Sequence, residues 1–173
     1  MTLTSAQRKL VLTVHVVTSV GLLGAIAAFL ALAVLGVAAP DEQTQRGVYP
    51  AMELIARIVI LPLAAAALLV GLVQALGTPW GLFRHYWVLL KLLLTGFATA
   101  ILLVKMRMIG DAARLAGDLT TPRADLSSLG VQLLVHAVGG MTVLLVPAVL
   151  SVYKPSGLTP YGFRRQQGLR AGS

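Results

Sequence analysis

The sequence contains no cysteine among its 173 residues. This absence excludes disulfides, thiolate metal sites and cysteine nucleophiles. Charged residues are also scarce, at 12%, whereas soluble domains carry roughly 25%. Hydrophobic residues make up 57% of the chain, and the mean hydropathy is +0.85. The composition therefore predicts an integral membrane protein whose main partner is the lipid bilayer.

Motifs of soluble enzymes and of nucleic-acid-binding proteins are missing as well. The chain has no phosphate-binding loop, no Ser-His-Asp set and no His-Glu-x-x-His zinc motif. A proton-driven transporter usually needs a relay of acidic groups within the membrane, and Glu53 is the one acidic residue in an apolar segment. The net charge of +8 is interpreted as basic loops and tails beside the membrane, with no nucleic acid as a partner.

Four apolar segments are each long enough for the ~20 residues that cross a bilayer. They lie at about 10–39, 51–76, 85–109 and 129–153. The first is about twice as long as the ~7–15-residue apolar core of a signal peptide, so it is interpreted as a span. We therefore predict an all-α fold, an antiparallel four-helix transmembrane bundle over residues 1–153, followed by a basic tail over 154–173.

The basic residues predict the orientation of the bundle. Arg8 and Lys9 precede the first span, and four more basic residues follow the last span: Lys154, Arg164, Arg165 and Arg170. The connection between the first two spans is mildly acidic. By the positive-inside rule, both termini are predicted on the cytoplasmic side of the membrane. Spans two and three are joined by a tight turn that contains Pro79 and Trp80.

Small residues predict where the helices approach one another. Gly21, Ala25 and Ala28 form a stripe on span one, and Gly139 with Gly140 forms a flat patch on span four. Such residues let the backbones of transmembrane helices come close together.

Ionisable residues inside the membrane are costly and are functional candidates by default. At about 1.5 Å of rise per residue, His15 and Lys91 both lie roughly 8–9 Å inside the cytoplasmic face. His136 and Arg57 share a depth of roughly 10 Å from the other face. Glu53 stands four residues before Arg57 in a favourable pairing order. The sequence thus predicts two polar layers.

A haem b is the first candidate ligand for these layers. Its two axial ligands face each other across a flat macrocycle, so His15 and His136, at different depths, are not expected to hold one haem together. Each layer would need its own ligands: His15 with Lys91 or His85, and His136 with Met106, Met108 or alone. Arg57 could bind a propionate through its guanidinium fork.

His15 and His136 are also the candidate metal ligands. Copper ranks behind haem, because two methionines are a weak signal for Cu(I). The structural interpretation stays open for every one of these residues. Each histidine could simply hydrogen-bond to a neighbouring helix, Lys91 could snorkel to the interface, and Arg57 could only pair with Glu53.

Three segments carry a resemblance to known membrane proteins: "TVHVVTSVGLLGAIAAFLAL", "GLVQALGTPWGLFRHYWVLLKLLLT" and "LSVYKPSGLTPYG". They resemble small actinobacterial membrane proteins that have no assigned function. More distantly, the early histidine and the "LLKLLLT" lysine resemble copper-resistance D-type proteins and the haem-dependent protoporphyrinogen oxidase of bacteria. That resemblance implies His15 and Lys91 as site residues. Leu23-Gly24 stands where those families often have tryptophan-glycine, and His136 has no assigned partner.

The leading prediction is a bundle that binds haem b or a transition metal in an electron-transfer or redox role. The alternative is a non-catalytic accessory or oligomerising subunit, either a homo-oligomer or bound to a membrane partner. A small transporter is the third hypothesis. Whether the protein is an enzyme is left undecided.

Overall fold

The computed structural model describes residues 3–77, 82–153 and 157–171. Its helices are α1 (Ser5–Ala38), α2 (Glu42–Ile55), a π-helical turn (Ala56–Ile60), α3 (Leu61–Gly77), α4 (Tyr86–Gly117), α5 (Arg123–Tyr153) and α6 (Pro160–Ala171). The π-helical turn joins α2 and α3 into one continuous rod. The described residues contain no β-strand, and the all-α prediction is confirmed.

Four helical rods form the bundle: α1, the α2–α3 rod, α4 and α5. α1 packs against α5 and α3, and α4 packs against α5 and the α2–α3 rod. α1 and α4 therefore lie on one diagonal of the bundle, and the α2–α3 rod and α5 lie on the other. All four are long and apolar enough to cross a membrane, as in a multi-pass membrane protein.

The two ends of the bundle are distinguished by what they carry. The terminal end carries the start of α1, the end of α5 and the beginning of α4, whereas the far end carries the α1–α2 and α4–α5 connections. The predicted turn residues Pro79 and Trp80, and Lys154, lie outside the described residues.

The helices extend beyond the apolar segments at the far end. α2 begins at Glu42, where the Asp41 carboxylate accepts a hydrogen bond from the Thr44 N–H at 2.7 Å. α4 continues to Gly117, and α5 begins at Arg123. These polar segments lie outside the spans that hydropathy predicts. Each nevertheless forms a regular helix that buries one face.

The π-helical turn immediately precedes Pro62. The Leu61 N–H bonds to the Ala56 carbonyl, five residues back. A proline ring has no N–H and clashes with the carbonyl four residues earlier. Widening the helix by one residue relieves that clash, and it places Arg57 within the irregular turn.

The buried core lies mainly in the far half of the bundle. Its largest fully buried side chains are Tyr49, Met52, Leu126, Leu133 and Gln45. By contrast, no residue is buried in α1 before Leu22, and none is buried in α4 between Tyr86 and Met108. The terminal half therefore presents apolar side chains outward, as expected of surfaces that face lipid.

The closest helix approach is at a glycine pair that was not predicted. A side chain at Gly130 of α5 would come within 3.0 Å of the Gly36 backbone on α1 and within 3.0 Å of the Tyr49 hydroxyl. The predicted patch at Gly139 and Gly140 makes no such contact, because nothing lies within 4 Å of a side chain placed there. The predicted patch is wrong as a packing surface.

Candidate sites within the bundle

His136 is held in a defined orientation on α5. Its Nδ1 lies 2.6 Å from the Gln132 carbonyl oxygen, one helical turn back. A carbonyl oxygen can only accept, so Nδ1 carries the proton and donates. In the neutral ring, Nε2 is then unprotonated, with a lone pair available to a ligand. Such a hydrogen bond is how proteins commonly orient a ligating histidine.

His136 lines a central cavity of about 100 Å³. All four rods contribute to its walls, which are mostly apolar, and Ala137 and Gly140 keep the α5 side small. Three polar side chains reach it: Thr99, Lys105 and His136. Thr99 donates to the Thr95 carbonyl at 2.8 Å, so Lys105 and His136 supply the polar groups that remain for a ligand.

Arg57 lies away from this cavity. It forms an ion pair with Glu53 at 2.9 Å, and 59% of its side chain is exposed. The pair packs over Gly110 of α4, where an added side chain would come within 3.2 Å of the Glu53 carboxylate. Arg57 and His136 stand on diagonally opposite rods, and the structure does not bring them into contact. The Glu53–Arg57 pairing itself is as predicted.

His15 of α1 and Lys91 of α4 lie near each other across the bundle. Lys91 is close enough for its charge to act on the His15 imidazole. The His15 ring packs against Gly71 of α3, where an added side chain would come within 3.0 Å of the ring. Its Nδ1 is buried, and the Ala67 backbone of α3 is close enough to act on the ring as a hydrogen-bond partner. The Lys91 ammonium lies 5.4 Å from the Trp87 ring centroid, a cation–π distance.

His85 lies at the N-terminus of α4, as its N-cap residue. It forms a backbone bridge with Leu158, so it is fixed at the edge of the bundle. Met106 and Met108 pack against the core. Among the described residues, no three His, Asp or Glu side chains gather in a group that could hold a metal ion.

The far end holds a hydrogen-bond network that the sequence reasoning missed. The Gly36 carbonyl has no helical donor, because the residue four positions on is Pro40. Gln45 donates to that carbonyl at 2.8 Å and Tyr49 at 3.2 Å. Arg123 in turn bonds to the Gln45 side chain at 3.1 Å and to the Ala39 carbonyl at 2.7 Å. The network closes the C-terminus of α1.

Arg46 satisfies the carbonyls at the C-terminus of α4. Its guanidinium donates to the carbonyls of Ala116, Asp118 and Thr121 at 3.2, 2.9 and 2.7 Å, and it pairs with Glu42 at 2.7 Å. A cation at a helix C-terminus satisfies carbonyls that lack helical donors. Gln45, Tyr49 and Met52 recur at helical spacing in the sequence, and that periodicity could have revealed the buried face of α2.

Charge is divided unequally between the halves. All six acidic residues lie in the far half, at positions 41–53 and 111–125, where six basic residues balance them. The terminal half contains eight basic residues and no acidic residue. The net charge of +8 therefore belongs to the terminal half, and the far half is neutral.

No family model matches the chain, and no curated protein and no solved structure is similar to it.

Proposed function

We propose that this protein is a multi-pass membrane protein that binds haem b within its helical bundle and serves an electron-transfer or redox role. The observation that carries the proposal is the central cavity with His136 on its wall, in the tautomer that leaves Nε2 available. Bound haem would supply one-electron chemistry, and its axial ligand would set the potential.

The residues around the cavity suit such a ligand. The apolar walls would exclude water, and His136 would bind the iron. Lys105 lines the same cavity and offers a cation for a carboxylate at its edge. The cavity is open at the side of His136, which is exposed. Its volume of about 100 Å³ is below the roughly 300 Å³ of small ligand pockets, so binding requires the rods to move apart. Arg57, bound to Glu53 away from the cavity, is not the propionate partner in this arrangement.

His15 with Lys91 is the competing ligand set. The resemblance to haem-dependent membrane proteins implies these two residues, and the burial of the His15 Nδ1 and the nearby charge of Lys91 support them. Against them stands the close packing of the His15 ring on Gly71, which leaves no room for a macrocycle on that side.

Variants of single histidines separate the two sets. Apoprotein in detergent is titrated with haemin, and binding is followed by the Soret absorbance. We expect His136→Gln to abolish the Soret band of bound haem, and His15→Gln and the edge control His85→Gln to retain it. Loss of the spectrum in His15→Gln alone would transfer the site to His15 and Lys91. Retention in all three variants would refute histidine-ligated haem.

A non-catalytic oligomerising subunit is the second candidate. The most apolar stretch of α4 has none of its residues buried inside the chain, so a partner helix could cover it instead of lipid. Native mass spectrometry tests this: a stable dimer without a chromophore supports a subunit role, and a monomer contradicts it.

The orientation is proposed from the charge division. The terminal half, with eight basic residues and no acid, is placed on the cytoplasmic side of a bacterial inner membrane. Because the chain has no cysteine, a single cysteine can report on each end. We expect Ser5→Cys to resist a membrane-impermeant maleimide in intact cells, and Leu119→Cys to react.

A further inference from the structure

The segment after α5 folds back onto the start of α4. The Thr159 N–H donates to the Arg84 carbonyl at 3.0 Å, and its hydroxyl donates to the Phe83 carbonyl. The Tyr86 N–H reaches the Gly157 carbonyl at 3.4 Å. Thr159 is 94% buried, with 6% of its surface exposed. The tail is therefore fixed to the bundle at this point.

Thr159 is also the residue immediately before α6. The Thr159 hydroxyl accepts from the Gly162 N–H at 3.1 Å, which is an N-terminal helix cap. A side chain at Gly162 would collide with the Arg84 carbonyl, so only glycine permits this approach. The first turn of α6 is thereby held beside the start of α4.

An apolar groove lies next to this joint, between α4 and α5. Its volume is about 570 Å³, and its walls include Tyr86, Trp87, Leu90, Leu93, Leu150 and Gly157. Tyr86 is 57% exposed and Leu93 is 66% exposed, so the groove is open along its side. Aromatic rings at such a position are typical of the membrane–water interface.

The charge beside the groove is entirely positive. α6 contains Arg164, Arg165 and Arg170, and no acidic residue occurs anywhere after Asp125. Tyr161 and Phe163 of α6 are both more than half exposed. A helix that carries arginines and exposed aromatic rings favours a surface of anionic headgroups.

We propose that the groove and α6 together bind one anionic phospholipid, with an acyl chain between α4 and α5 and the phosphate on Arg164, which is exposed on the first turns of α6. The apolar walls match the chain, the Arg164 guanidinium matches the phosphate, and the hydrogen bonds of Thr159 keep the two parts side by side. This site is separate from the central cavity and does not depend on haem.

Native mass spectrometry of the full chain in detergent tests the proposal, with phosphatidylglycerol and phosphatidylcholine offered in equal amounts. We expect preferential retention of one phosphatidylglycerol. One arginine near the headgroup contributes about fivefold in affinity, so Arg164→Gln should reduce the preference by about fivefold. Leu93→Trp, which fills the groove, should lower retention of both lipids.

Arg114→Gln is the matched control, because its side chain is 81% exposed at the far end; we expect it to retain the preference. Equal binding of the two lipids by the unmodified protein would overturn the proposal. So would an unchanged preference in Arg164→Gln. Full competition by millimolar inorganic phosphate would show a site for the headgroup alone and would overturn the lipid assignment.

Discussion

The far half and the terminal half of the bundle are stabilised by different means. The far half is electrically balanced and contains most of the buried core and the carbonyl-satisfying network around Gln45, Arg46 and Arg123. The terminal half carries the net positive charge and exposes its apolar side chains. We infer that the far half fixes the arrangement of the rods, and that the terminal half depends on lipid and on the α6 joint.

The largest expected loss of stability comes from a side chain placed where α1 and α5 cross. Gly130→Leu places atoms where only 3.0 Å separates a Cβ from the Gly36 backbone. Overpacking against a rigid backbone costs roughly 3 kcal/mol or more. We expect a matching loss of unfolding free energy in detergent. Gly139→Leu, on the same helix with nothing within 4 Å of its Cβ, should change it by less than about 0.5 kcal/mol; equal losses would contradict the account.

The buried amide of Gln45 gives the next largest effect. Gln45→Met keeps the length of the side chain but removes the donor to the Gly36 carbonyl. The carbonyl would keep only the longer bond from Tyr49, and Arg123 would lose its bond to Gln45. Buried polar groups that lose a partner in this way cost about 1–3 kcal/mol. Chemical unfolding followed by circular dichroism measures this loss. Gln43→Met on the exposed face of α2 is the control, and a similar loss there would show that helix propensity, not the network, is responsible.

At the terminal end the expected effect is local. Gly162→Ala forces the tail away from the Arg84 carbonyl, so the α6 joint should open while global stability changes by less than about 0.5 kcal/mol. Hydrogen exchange at the Thr159 amide should rise about tenfold or more, since each 1.4 kcal/mol of lost protection is a factor of ten. Gly157→Ala, with open space around it, should leave exchange unchanged. A global loss of stability in Gly162→Ala would place the tail within the folding core.

The smallest effect is a dependence on pH at the start of α2. The Thr44 N–H and hydroxyl hold the pKa of the Asp41 carboxyl below its ordinary value. A lowered pKa stabilises the fold above the unfolded value, near pH 4, and this contribution is lost as the pH falls through the folded value. Asp41→Asn keeps a capping side chain without the titration. The melting temperature of the unmodified protein should exceed that of the variant at pH 6, and the gap should close by about pH 3; a constant gap would contradict this.

Much of the fold follows from the sequence. The hydropathy of the sequence locates the four long helices, and four apolar segments of this length predict the all-α bundle that the structure shows. The depth argument also predicted that His15 and Lys91 lie near each other, because rise per residue is nearly constant in a helix. Hydropathy could not locate the far-end helices, since Gln45, Arg46 and Arg123 are polar and their burial depends on partners distant in the chain.

The cavity was harder to predict. Depth alone put Arg57 beside His136, but depth does not say which rods are neighbours. The ion pair with Glu53 and the contact of that pair with Gly110 of α4 hold Arg57 outside the cavity. Lys105 takes its place on the cavity wall, although by sequence it belongs to the charged end of the third span.

The central claim concerns the cavity, and one absorbance spectrum tests it most directly. The unmodified protein is purified in detergent from cells supplied with a haem precursor, and spectra are recorded before and after dithionite. The account predicts a Soret band that shifts on reduction, with haem bound at about one per chain. A protein that is folded by circular dichroism but shows no Soret band, and that fails to acquire one when haemin is added, would contradict it.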